Sequence, residues 1–198
     1  MKKSRLIAAA AAITVAALTF TAAPASAWGG SSRGSIVDVA VAASGGGVPD
    51  RNHNDYDILV QALVATGLDD ALADKTEKYT VFAPNDRAFI RLVADLTGTK
   101  PASEQAALTT IVGAFSADQI TNILLYHVVA GKKLSPVKVL LSRSITMANG
   151  ERIYPRLTTL VDGTPSLKNP KLVLSKINIK ASNGVIHTID RVLVPAQP

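Results

Sequence analysis

The side chains able to do chemistry are few in this chain of 198 residues. Cysteine is absent, and there is no His-Glu-x-x-His pair, P-loop or Gly-x-Gly-x-x-Gly turn to mark a zinc or nucleotide site. Three histidines remain: His53, His127 and His187. His127 and His187 fall on apolar faces of elements expected to meet, where two imidazoles could ligate a metal. No third ligand of suitable type accompanies them, so the preferred reading is buried rings held neutral by hydrogen bonds to backbone. Asp50-Arg51-Asn52-His53-Asn54-Asp55 matches the first, third and fifth ligand positions of a calcium loop. It then puts Asp55 where the sharp turn needs glycine and Gln61 where a bidentate glutamate belongs. A polar turn capping the next helix is therefore expected, with no metal or cofactor, and with stability indifferent to chelators.

The elements that must position these groups change character along the chain. Ser35, with Asp38 three positions on, opens an apolar helix over 36–43, and the glycines and proline of 44–49 stop it. A second helix starts at Tyr56 or Asp57 and ends at Gly67, and another turn follows over 68–72. Tyr79 to Phe82 reads as a strand that leaves through Ala83-Pro84, after which Asn85 caps a helix with a Phe89, Leu92, Val93, Leu96 stripe. Ser103 and Ser116 open two more helices. The stripe of the second, Ile120, Ile123 and Leu124, carries His127 onto the buried side and leaves Tyr126 as the more exposed neighbour. Beyond Gly131 come short alternating runs punctuated by Asn149-Gly150, Asp162-Gly163 and Asn183-Gly184, which are turn signals between strands. Asn183-Gly184 is expected to form a type I′ hairpin between 176–180 and 185–194. Its second strand would place Val185, His187 and Ile189 on one face, with Ile186, Thr188 and Asp190 on the other. Helices first and strands later, with one strand inserted early, is an α+β pattern.

Three stretches in this order carry a family resemblance: Thr80-Val81-Phe82-Ala83-Pro84-Asn85-Asp86 with Ala88-Phe89, Tyr126-His127, and Asn183-Gly184-Val185-Ile186-His187-Thr188-Ile189-Asp190. Together they resemble the boxes of the fasciclin (FAS1) family over about residues 35–196. The resemblance implies a fasciclin-like fold, with helices packed on a β-sandwich or wedge of two small sheets. Phe82, Pro84, Asn85, His127, Asn183, Gly184, His187 and Asp190 would be its structural motif residues. In animal members the Tyr-His region is linked to adhesion, which makes Tyr126 a candidate partner contact. Asn85 and Arg87 depart from the residues most common in the family's first box.

Lys2, Lys3 and Arg5 precede an apolar run from Leu6 to Phe20 and an Ala25-Ser26-Ala27 site. This is the layout of a secretory signal, with cleavage expected after Ala27 and a flexible lead-in over 28–34. The mature form is expected to be one domain over 35–196, extracellular, monomeric and without a membrane span. An exported chain without cysteine must rely on its core, and ~170 residues suffice for one. Residues 28–127 carry 7 basic and 12 acidic side chains, residues 128–198 carry 11 and 3. That asymmetry reads as solvated strand edges guarded by lysines, or as a patch for an anionic glycan with Lys132, Lys133, Lys168 and Lys171 as candidate contacts. Aromatic interleaving of the nucleic-acid type is missing, so no nucleic acid is expected. The expected function is a non-enzymatic adhesion or extracellular binding module for a protein or anionic glycan. A carrier of a small apolar ligand, a carotenoid or lipid, is the alternative.

Overall fold

The computed structural model describes residues 34–197. The expected signal over 1–27 and the lead-in through Arg33 lie outside the described residues. Six helices and one strand come first: α1 (Ile36–Ala43), α2 (Asp57–Thr66), α3 (Leu68–Ala73), β1 (Tyr79–Pro84), α4 (Asp86–Thr97), α5 (Glu104–Ala114) and α6 (Ala117–Leu125). Then follow β2 (Val128–Ala130), α7 (Pro136–Leu141), β3 (Ile145–Thr146), β4 (Arg152–Arg156), β5 (Thr159–Val161), β6 (Ile179–Lys180) and β7 (Gly184–Ile189). The helix starts are set by local chemistry. The Ser35 and Ser116 side chains form reciprocal capping boxes with Asp38 and Gln119, and Asn85 accepts the Ala88 N–H. Gly67 and Gly98 end α2 and α4 in the left-handed conformation.

The strands make two sheets, one ordered β2-β1-β7-β6 and one ordered β3-β4-β5. β1 and β7 run parallel, with Val81 opposite Ile186 and Phe82 opposite His187, while the other pairs are antiparallel. This is the expected α+β architecture. Alternation along β1 explains the two cores. Val81 and Ala83 face the helices with Ile58, Phe89, Ile123 and Ile186, whereas Phe82 faces the smaller sheet with Ile153, Leu160, Ile189 and Leu193. Every residue of β7 is buried, because one face meets helices and the other meets the second sheet. β4 buries Ile153 and Pro155 and turns Arg152, Tyr154 and Arg156 to solvent.

Two local expectations are corrected. The pairing of β7 stops at Ile189, well before Pro195, and of the strand expected over 176–180 only Ile179–Lys180 forms, with Lys176 ending a 3-10 turn. The Asn183-Gly184 turn is not type I′, since neither residue takes positive φ; Asn178, before β6, does. Three residues, 181–183, join β6 to β7, and the Ala181 N–H donates to Gly184 O at 3.0 Å. Asn183 is used at long range: its Oδ1 accepts from Ile36 N–H, and its Nδ2 donates to Leu72 O at 2.7 Å and Asp74 O at 2.8 Å. Gly184 is required for close approach, because a Cβ there would meet the Ile36 side chain and sit 2.6 Å from Tyr79 O.

Candidate functional site

Tyr126 and His187 pack toward the smaller sheet with Phe82, whereas His127 borders the helix-side core beside Leu59, Val81 and Ile186. His127 is buried just past the end of α6, with Nδ1 bonded to Ile123 O at 2.7 Å and Nε2 accepting from Leu193 N–H at 2.9 Å. Those partners fix a neutral tautomer, and burial pulls the ring's pKa down to about 4. His187 is held likewise: Nε2 donates to Leu134 O at 2.9 Å, Nδ1 accepts from Asn178 N–H at 3.2 Å, and burial again lowers the pKa. With both nitrogens of each ring committed to backbone, neither ring has a lone pair free for a metal or a substrate proton. Tyr126 is corrected outright. The tyrosine follows the last residue of α6, is 0% exposed, and donates its hydroxyl to Arg152 O at 2.9 Å. It is a strut to β4 and offers a partner no surface.

The candidate lysines are all exposed, but they do not form one patch. Lys132 and Lys133 follow β2 at the end of the sheet where Tyr79 pairs with Ala130 and Gly184. There Lys133 Nζ donates to Ser182 O at 2.8 Å, and a cleft of about 250 Å³ is lined by Lys133, Leu134, Ser135, Asn178 and Lys180. Lys171 lies at the opposite end, where its N–H donates to Asp190 Oδ1 at 2.8 Å; Lys168 lines a small cleft nearby with Asp95 and Arg191. The two ends are separated by the length of β7, roughly 17 Å. The Lys168 end is electrically mixed: Arg91 bonds Asp190 and Arg191 pairs with Asp95. Phe82, Pro84 and Asn85 form the β1–α4 passage beside it, where Asn85 N–H donates to Ile189 O at 3.3 Å.

A third group of side chains gathers where α2, α4 and α5 begin. Asp57, Asp86 and Glu104 are the first residues of those helices, each 0% exposed, and Asp55 is buried beside them. Asp86 accepts from Ile58 N–H at 2.8 Å and Asp57 N–H at 3.2 Å. Glu104 accepts from Asp50 N–H at 2.7 Å and meets His53 Nδ1 at 2.7 Å. Asn52 shapes the expected polar turn, donating its Nδ2 to Asp55 Oδ2 at 2.7 Å. Asp55 Oδ1 and both oxygens of Asp57 are buried without a hydrogen-bond partner. Burial, reinforced by Asp55, Asp50 and Glu104, pushes the Asp57 pKa up to about 7, and burial likewise raises that of Asp86. Sequence reasoning passed over Asp57, Asp86 and Glu104, because an acid in the first turn of a helix is ordinarily a solvated partner of the helix dipole.

Comparison with known proteins identifies the family. The model of the Fasciclin domain matches residues 54–195. An uncharacterized protein of the cyanobacterium Synechocystis is 33% identical over 150 residues, covering 70% of this chain and 89% of that one. The transforming growth factor-beta-induced protein ig-h3 of Sus scrofa is 30% identical over 152 residues, 73% of this chain but 18% of that one. Among solved structures, a FAS1 domain pair from the insect cell adhesion molecule Fasciclin I superposes with a TM-score of 0.51 at 15% identity, covering 70% of this chain and 47% of that one. With the three sequence boxes, the two-sheet architecture and the domain model in agreement, the chain belongs to the fasciclin domain family.

Proposed function

We propose that this protein is an exported, non-enzymatic binding module of the adhesion type, and that it engages an anionic extracellular polymer through the basic end of its larger sheet. Family membership supports an extracellular adhesion or binding module in general terms. The observation that carries the finer reading is the cleft between Lys133 and Lys180, with Lys132 exposed beside it. Apolar cleft walls from Leu134 and Ala181 beneath two ammonium groups suit a flexible acidic chain lying across the surface. The apolar space enclosed by Ile36, Leu59, Leu63, Val81 and Ile186 amounts to about 20 Å³, roughly room for one water molecule, so the helix-side core offers a carotenoid or lipid no room.

The test is titration of the mature protein with an acidic polysaccharide at low and high salt. Binding should weaken at high salt, since exposed charges are screened over ~10 Å at 0.1 M. The paired reversal Lys133→Glu with Lys180→Glu should abolish it, while Lys168→Glu with Lys171→Glu should have a smaller effect. Binding indifferent to salt and to Lys133 and Lys180 would refute the proposal.

A further inference from the structure

The loop before α2 and the first residues of three helices bring five carboxylates together: Asp50, Asp55, Asp57, Asp86 and Glu104. One oxygen each from Asp50, Asp55 and Asp57 lies within 4.8 Å of the other two, and Asp55 belongs equally to a second such trio with Asp86 and Glu104. The two trios differ in what already satisfies them. Asp86 and Glu104 are occupied by backbone N–H groups and His53. Asp57, wholly buried, has no donor on either oxygen, and Asp55 has one oxygen without a donor. Among the described residues no lysine or arginine is paired with any of the five. Three helix N-termini face the five carboxyl groups with roughly half a positive charge apiece.

We infer that the carboxylates of Asp50, Asp55 and Asp57 form a binding site for one calcium ion, framed by Asp86 and Glu104. The donor set is oxygen only, which selects a hard cation. Asp57 can bind through both oxygens, Asp50 lies at the exposed mouth where water can complete the shell, and calcium tolerates such an irregular set where magnesium demands a near-ideal octahedron. Of the loop pattern in the sequence only Asp50 serves as a ligand. Asn52 is spent on Asp55, and Asn54 O accepts from Lys176 Nζ, while Asp57 enters from the helix. A bound ion would tie the loop over 44–55 to the starts of α2, α4 and α5.

The experiment is thermal unfolding and calorimetric titration of chelator-stripped protein with calcium chloride. One ion should bind per chain, and about 1 mM calcium should raise the Tm by about 5–10 °C over the EDTA-treated protein. Asp50→Asn, at the exposed ligand, should weaken binding at least about tenfold without harming the fold, and Asp57→Asn should abolish it. Asp118→Asn, on the exposed start of α6, should change nothing. Absence of both binding heat and a Tm shift in the native sequence would overturn the inference, as would a shift that survives Asp50→Asn or is matched by magnesium. In that event the acids share protons and not a metal.

Discussion

His127 and Asp57 are both buried polar side chains in one small domain, and their surroundings could hardly differ more. Each ring nitrogen of His127 meets a backbone group placed for it, so burial costs little and the ring welds α6 to the segment after β7. Neither oxygen of Asp57 has a hydrogen-bond partner, and one of them lies within 4.8 Å of carboxylate oxygens of Asp50 and Asp55. Burying an unpaired charge is expensive, and folds retain such a group where something outside the chain can compensate it. The contrast separates residues that the fold uses to hold itself together from residues that it holds ready.

The largest effect is expected at the satisfied corner. His127→Ala removes a packed ring and orphans Ile123 O and Leu193 N–H, which should cost about 3–4 kcal/mol. Urea unfolding measures it, and a loss under about 1 kcal/mol would mean that the ring is no strut. Asn183→Ala should cost about 2–3 kcal/mol, since it frees two buried backbone groups, on α1 and α3, and a partly buried one at Asp74. Asn183→Asp should not rescue it, because a carboxylate cannot donate to Leu72 O and Asp74 O.

The two corners also carry opposite pH signatures. For His127 the folded pKa lies below the unfolded one, so its neutral form stabilises above about 6.5 and that stability is lost as pH falls toward about 4. For Asp57 and Asp86 the folded pKa lies above the unfolded one, so stability is greatest below about 4 and declines as pH rises through about 7. Between about pH 6.5 and 8 only the acids contribute appreciably. Unfolding free energies of chelated protein should therefore fall gently across that interval, and a rise would show that the acid corner is compensated from within.

The architecture was legible because it rests on local signals. Ser35, Asn85, Ser103 and Ser116 cap the helices that their spacing predicts, and the alternation of β7 assigns its faces correctly. What could not be read came from distance. Tyr126 is buried by its contact with β4, where Arg152 O accepts its hydroxyl proton, and Asn183-Gly184 abandons its preferred turn for contacts with Ile36 and Leu72. The acid corner draws on positions 50 to 104, brought together only by three helices converging at their starts. Periodicity places a residue on a face but does not say which other faces it will meet.

The contrast is tested most directly by the Tm of Asp57→Asn beside that of His127→Ala, both in EDTA at about pH 7.5. Asparagine keeps the shape of Asp57, removes its charge and gives the surrounding carboxylates a donor, so Asp57→Asn should raise the Tm by about 2–4 °C while His127→Ala lowers it sharply. A fall in both would contradict the account, for it would show that the Asp57 carboxylate is already paid its due by the chain itself.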